Sequence, residues 1–349
     1  MAQFAASAPH PAPSGAAADT SPPPPDWARH TYAAIDLGTN NCRLLVARPG
    51  EGGFTVVDAF SRIVRLGEGL ASSGRLTAEA MDRAVDALGV CAAKLKRRNV
   101  SLSRSVATEA CRRAVNGRDF IERVRCETGI SLEIIAPQEE ARLAVLGCHK
   151  LLEPGDGPAL IFDIGGGSTE LVLVEPGGAD DNPRIKAWWS APWGVVSLTE
   201  SEGREAIEGP DRVAAYGRMR ERTRRAFDRF AEMLPTDAKN IRLLGTSGTV
   251  TTLASVHLAL PSYDRRAVDG LHVPISAMRE ISTALAHMTF KERAALPCIG
   301  ADRADLVVAG CAILEAILDI WPAEQLGIAD RGIREGILRS LMARDGYRL

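Results

Sequence analysis

Apolar residues in this chain follow two rhythms, short unbroken runs and longer stretches repeating every three or four positions. The clearest short run is Leu160-Ile161-Phe162-Asp163-Ile164, followed by Gly165-Gly166-Gly167-Ser168-Thr169 and a second run, Glu170-Leu171-Val172-Leu173-Val174. This pattern predicts two buried strands joined by a glycine turn. Tyr32-Ala33-Ala34-Ile35-Asp36-Leu37, Gly38-Thr39-Asn40-Asn41 and Cys42-Arg43-Leu44-Leu45-Val46-Ala47 repeat the plan upstream. A third version, Ile241 to Gly245 followed by Thr246-Ser247-Gly248-Thr249, leads from a strand into a helix start.

The slower rhythm predicts helices. Met81, Ala84, Val85, Leu88, Ala92 and Leu95 mark one over about 78–97, capped by Thr77 and stapled by Leu76 and Met81. Glu109 to Asn116 reads as a helix whose first turn aims Arg112 back at a sheet edge, and Asp119 as the cap of the next helix, ending near Gly129. Pro137 opens another, with Glu139 and Glu140 in its first turn, where the helix dipole welcomes acids. A long charged helix is expected over about 211–233, an apolar one over 309–318, and a strand, turn and helix over 328–338. The arginines of the 211–233 stretch alternate with Asp211, Glu221, Asp228 and Glu232, which is the pattern of a solvated, ion-paired face.

Composition narrows the choices. With 349 residues, 46% hydrophobic and 25% charged, the chain has material for two ordinary domains. A net charge of −2 gives no global reason to expect nucleic acid or an anionic membrane, so positive charge for an anionic ligand must be gathered locally. Seven scattered cysteines without a Cys-x-x-Cys pair point to a reducing compartment rather than a disulfide framework or zinc site. Residues 1–29, rich in Ala, Pro and Ser, read as a disordered tail without the features of a signal peptide, and no apolar run is long enough to span a bilayer. A cytoplasmic protein is expected.

The turns carry the candidate chemistry. Glycines let backbone N–H groups approach an anion, Ser168 and Thr169 add hydroxyls, and Asp163 and Glu170 offer hard oxygens to Mg²⁺. Three glycines alone describe a tight hairpin equally well; the second copy is what suggests two turns closing on phosphates and metal from both sides. Glu139 and Glu140 are, locally, only good helix-start residues. Their helix directly precedes the Asp163 hairpin, which places its N-terminus at the junction of the two halves.

Taken together, Asp36-Leu37-Gly38-Thr39-Asn40, Arg112 with Asn116, Glu139-Glu140-Ala141-Arg142-Leu143, Asp163 to Leu171 and Gly245-Thr246-Ser247-Gly248-Thr249 resemble the exopolyphosphatase and guanosine pentaphosphate phosphohydrolase family. That family lies within the actin, hexokinase and heat-shock ATPase superfamily. The resemblance implies an α/β fold of two duplicated ribonuclease H-like lobes, 30–136 and 137–325, with a cleft between them and the segment 326–349 returning to the first lobe. It implies that Glu140 activates water and that Asp163, Glu170 and, more weakly, Asp36 hold Mg²⁺ or Mn²⁺. Phosphates would be gripped by Gly38, Thr39, Asn40, Asn41, Arg43, Arg112, Gly165, Gly166, Gly167, Ser168, Thr169, Ser247, Gly248 and Thr249. Two departures stand out: Asn41 where Ser is usual, and Pro137-Gln138 before the acidic pair. The implied reaction releases terminal orthophosphate from inorganic polyphosphate, with guanosine pentaphosphate as the alternative substrate. A phosphotransferase or a nucleotide sensor on the same scaffold stands further off, and the family admits a homodimer.

Overall fold

The computed structural model describes residues 30–347 apart from 51–52, 153–154, 156, 176, 178–182 and 235–240. The expected tail over 1–29 lies outside the described residues. Strands β1 (Tyr32–Leu37), β2 (Asn41–Gly50) and β3 (Gly53–Ile63) form an antiparallel meander. After the short helix α1 (Leu70–Ser73) comes α2 (Ala78–Arg97), whose N-terminus is capped as expected by the Thr77 hydroxyl accepting from Ala80 N. Strand β4 (Leu102–Ala107) and β5 (Leu132–Ile134) then add in parallel, separated by α3 (Glu109–Arg113) and α4 (Gly117–Thr128), to give the order β3-β2-β1-β4-β5. Asp119 is not the cap of α4. The helix begins two residues earlier because Asn116 is pinned from outside, its side chain exchanging hydrogen bonds with the Leu76 backbone at 2.9 and 3.0 Å.

The chain crosses through α5 (Pro137–Cys148) into a second sheet built the same way. Strands β6 (Ala159–Ile164), β7 (Thr169–Glu175) and β8 (Arg184–Ala191) form the meander. Helices α6 (Val195–Glu202), α7 (Arg204–Glu208) and α8 (Arg212–Met233) precede the parallel strand β9 (Arg242–Thr246). Helix α9 (Gly248–His257), α10 (Arg265–Val268), the edge strand β10 (His272–Pro274), α11 (Ile275–His287), α12 (Phe290–Ala295), α13 (Ala301–Ala304) and α14 (Val307–Ile320) lead to β11 (Gln325–Ala329), parallel to β9. The order β8-β7-β6-β9-β11 repeats that of the first sheet, with β10 added at the edge. The last helix is α15 (Ile333–Arg344). The segment from 326 is therefore divided, its strand remaining in the second sheet and only α15 crossing to the first. The strand stays because Leu326, Ile328 and Ala329 are wholly buried beside β9.

Each sheet is covered on both faces, so its central strands read as unbroken apolar runs. One face of the first sheet packs on α2 and α4 through Ile35, Leu44, Leu88 and Phe120; the other meets α15 through Leu45, Ile337 and Leu338. The second sheet places α5 on one face, through Ala141 and Val145 against Ile161 and Val172, and the α8, α9, α11 and α14 group on the other. Helices α5 and α15 lie against each other at very close range. A Cβ on Gly147 would stand 2.0 Å from the Gly332 carbonyl oxygen, and one on Gly336 2.0 Å from that of Leu143. The arginines of α8 are engaged as their sequence pattern predicts, Arg220 with Glu315 and Asp319 and Arg224 with Glu221 and Asp228. Among the described residues no helix is long and apolar enough to cross a membrane.

Candidate active site

The two hairpin turns are built alike. Gly38 N donates to Asn41 O and Gly165 N to Ser168 O, each at 2.9 Å. In the first, Thr39 O accepts from Gly67 N and Asn40 O from Val64 and Arg65 N; in the second, Gly165 O and Gly166 O accept from Val195 and Val196 N at the start of α6. A trans peptide points its N–H opposite to its carbonyl. Anchoring these carbonyls to the framework therefore turns the amides of Asn40, Gly166 and Gly167 the other way. The turns meet so closely that a Cβ on Gly166 would lie 2.9 Å from Thr39 Cβ and 3.1 Å from Asn40 N.

Between them lies a cleft of about 140 Å³, room for on the order of ten waters. Its walls include Asp36, Gly38, Thr39, Asn40, Asn41, Arg43, Glu140, Asp163, Gly165, Gly166, Gly167, Ser168, Glu170, Ser247, Gly248 and Thr249. Nearly every residue singled out in the sequence is thus brought to one place. The third turn is strained at the point of contact: Ser247 has φ 110° and ψ 174°, a conformation otherwise nearly confined to glycine, and its buried Oγ has no partner. Helix α9 begins immediately after it, so its free N-terminal amides belong to the cleft wall.

Register sets the electrostatics. Asp36 is paired across the ladder with Arg43, and Asp163 with Glu170, so each pair projects from one face of its hairpin. Opposite charges face each other in the first hairpin and like charges in the second. Burial and the Asp36 charge push the Asp163 carboxyl up to about 6, with Arg43 opposing. Glu170 rises to about 7 through burial and Asp163, although its Oε1 accepts from the Ser168 and Ser190 hydroxyls at 2.8 and 2.9 Å. Asp36 is likewise raised, chiefly by burial, and its Oδ1 is buried without a hydrogen-bond partner.

Glu140 enters from the first turn of α5 and is almost wholly buried. Desolvation, then the Glu170 charge, hold its carboxyl well above the ordinary range, against the opposing pull of Arg112. Arg112 reaches Glu140 Oε2 at 3.2 and 3.3 Å, Glu109 Oε2 at 2.5 and 3.1 Å and the Ile135 carbonyl at 2.7 Å. It does not line the cleft. Expected to grip phosphate, Arg112 instead braces the acid, because α3 ends beside the N-terminus of α5. Thr169 also stands apart: strand alternation turns it away from Ser168 and Glu170, and its hydroxyl donates to the Trp193 carbonyl at 2.7 Å. Sequence reasoning missed Thr108, Glu109, Thr252 and Arg303, all in the cleft wall. Arg303 donates to Thr252 Oγ1 at 3.1 Å and comes from the four-residue α13, which has no periodicity to reveal it.

The donor set suits a hard cation. Asp36, Asp163 and Glu170 supply only carboxylate oxygens, and Asp36 Oδ1 is a buried acceptor that a bound cation would satisfy. Among the described residues no three His, Cys, Asp or Glu side chains converge tightly enough to form a metal cage.

Two sheets of one topology, joined through α5 and α15 and meeting at paired glycine turns, define a two-lobed actin-like fold with a cleft between the turns. The sequence model of the Ppx/GppA phosphatase family matches residues 45–345, and the chain belongs to that family. It is 33% identical over 322 residues to exopolyphosphatase 2 of Mycobacterium tuberculosis, covering 88% of this chain and 98% of that protein. It is 29% identical over 318 residues to the guanosine-5'-triphosphate,3'-diphosphate pyrophosphatase of Aeromonas hydrophila, covering 89% of this chain but 59% of that one. The crystal structure of the Aquifex aeolicus Ppx/GppA family member superposes with a TM-score of 0.73 at 28% identity, over 91% of this chain and 99% of the other.

Proposed function

We propose that this protein hydrolyses phosphoanhydrides, releasing terminal orthophosphate from inorganic polyphosphate, with Glu140 as the base that activates water. The observation that carries this reading is the placement of Glu140. It is a buried carboxylate with a raised pKa, braced by Arg112, in the wall of a cleft whose other sides are three amide-rich turns. A general base works best when its pKa lies near the operating pH, and burial moves a carboxylate in that direction.

In this reading the terminal phosphoryl group lies between the first two turns. Asn40, Gly166 and Gly167 donate backbone N–H groups to its oxygens, and Arg43 supplies charge from the first hairpin. Glu140 accepts a proton from the attacking water as the new P–O bond forms. The bond to the next phosphate breaks, and the charge left on the shortened chain is met by the Ser247-Gly248-Thr249 turn and the start of α9. Asp163 and Glu170, with Asp36 beside them, are the residues that would hold Mg²⁺ or Mn²⁺, which when bound neutralises phosphate charge and relieves the repulsion among these acids. Oriented amides and arginines supply the electrostatic term that dominates phosphoryl transfer.

Polyphosphate is preferred over guanosine pentaphosphate because the match to an exopolyphosphatase runs nearly end to end, whereas the guanosine-directed relative is matched over 59% of its length. Phosphate release measured side by side on both substrates with Mg²⁺ tests the assignment. Faster release from guanosine pentaphosphate reverses the preference, and release from neither removes the hydrolase reading.

A further inference from the structure

Arg303 reaches the cleft wall from α13, a four-residue helix that follows Gly300, at φ 67°, and has no side-chain cap. A single helical turn does not hold itself, because nucleation fixes several dihedrals for one hydrogen bond. Contacts from outside must therefore place it. Arg303 donates to Thr252 Oγ1 at 3.1 Å, and Asp305, two residues on, is met by Arg65 and Arg204 at 3.0 and 3.2 Å. Between them stands Ala304, whose carbonyl accepts from Arg293 Nε at 2.8 Å.

Arg293 belongs to α12 and is wholly buried. Its Nη1 donates to the carbonyls of Met288 at 2.5 Å and Leu285 at 3.5 Å, at the C-terminal end of α11, where carbonyls lack helical partners. One fork thus ties the end of α11 to α13. Among the described residues Arg293 makes no ion pair, and its Nη2 is buried with no partner. Burial lowers its pKa, with the Glu208 charge opposing, yet a guanidinium stays charged. A cation buried among carbonyls costs stability that a methionine of similar volume would not. Packing therefore does not account for an arginine here. A rigid planar fork that sets two carbonyl-bearing segments against each other does.

We propose that Arg293 is a positioning residue of the active site, holding α13 where Arg303 faces the phosphates. It touches no substrate itself. The proposal rests on the reading of the cleft as a phosphate seat, in which Arg303 supplies charge on the side of α9. Without the fork, α13 is tethered only through its side chains, and Arg303 samples positions away from Thr252. The substrate then loses part of one charge-assisted contact. Glu140 and the two hairpin turns are untouched, so the chemical step keeps its rate.

The test compares wild type with Arg293→Lys, Arg293→Met, Arg303→Met and the double variant Arg293→Lys/Arg303→Met. Phe230→Leu serves as a control for lost stability alone, since Phe230 is wholly buried in the same half and packs on Trp321 at 5.8 Å between ring centres. Melting temperature and phosphate-release kinetics on polyphosphate are measured for each. Arg303→Met is expected to raise KM about tenfold, the scale of a lost charge-assisted contact. Arg293→Lys, which keeps the charge but not the fork, raises KM about threefold and Arg293→Met about tenfold, with kcat within about twofold of wild type. Phe230→Leu lowers the melting temperature and leaves KM unchanged. If Arg293 acts through Arg303, the double variant has the KM of Arg303→Met, because the two effects are not independent. Multiplied KM effects in the double variant, unchanged KM in both Arg293 variants, or a matching KM increase in Phe230→Leu overturns the proposal. Absence of phosphate release from wild type overturns the hydrolase reading instead, and the same comparison is then read from the calorimetric Kd for polyphosphate.

Discussion

Replacing Glu140 by Gln changes one charge and almost no volume. The structure sets two consequences of opposite sign. A positioned general base contributes typically about 10²–10⁴ in rate, or about 3–5 kcal/mol of barrier at 1.36 kcal/mol per decade, and kcat for phosphate release should fall by that amount. Stability should move the other way. Glu140 is desolvated and faces Glu170, Asp36 and Asp163, and only Arg112 favours its charge. The neutral amide removes that repulsion, while Arg112 keeps Glu109 and the Ile135 carbonyl as partners. The melting temperature of the metal-free variant at pH 8 is therefore expected to exceed that of wild type. Polyphosphate should bind at least as tightly, since one negative charge facing it has gone. Phosphate release, thermal melting and calorimetric titration on the same preparations provide the three readouts. Turnover within tenfold of wild type removes Glu140 from the mechanism. Lost turnover with a lowered melting temperature means that the variant damaged the cleft, and the argument from charge fails.

The raised carboxyls make a further prediction about pH. Asp163 and Glu170 move from ordinary values of 3.8 and 4.5 to about 6 and about 7 on folding, so the folded state holds more protons between about pH 4 and 7. The contribution of these two acids to the stability of the metal-free protein is then greatest below that window and is lost as pH rises through it, by on the order of a few kcal/mol. Mg²⁺ should raise the melting temperature more at pH 8 than at pH 5, and an equal shift at both would count against these acids as its ligands. Arg112→Lys loses the two-pronged hold on Glu140, whose pKa rises further; the acid limb of the kcat/KM profile should move to higher pH, and an unmoved limb contradicts the bracing role. Gly166→Ala forces the first two turns apart by a few tenths of an ångström, and kcat/KM should fall by about 10–100-fold with the melting temperature lowered only moderately. Wild-type kinetics in that variant would show that the contact between the turns is unimportant.

The duplicated hairpins were legible because buried strands, glycines and hydroxyls all follow from local sequence, and the helix over 78–97 because its cap, staple and spacing agree. Local chemistry also placed the start of α5 correctly and gave Glu140 its direction only through topology. What could not be read were contacts between distant segments. Arg112 and Asn116 stand four residues apart, yet one braces an acid from α5 and the other pins the backbone before α2. Nothing in their neighbourhood distinguishes these tasks from phosphate binding. Thr169 was misassigned by one position, since alternation along β7 turns it from the cleft while its neighbours on both sides stay. Arg303 rests on a four-residue helix, too short for any pattern.

The backbone-to-backbone seam at Gly147 and Gly336 bears on how ligands come and go. The chain passes from one sheet to the other before α5 and back before α15, and these are the two helices that the glycines press together. Any swivel of one half on the other must pivot on that seam, where larger side chains would act as a wedge. Glu140 stands on α5 about two turns before Gly147, and the third turn is tied to the other side of the seam by the Thr246 hydroxyl donating to the Arg331 carbonyl at 2.7 Å. Widening the seam with a side chain at either glycine is therefore expected to shift Glu140 and the third turn together.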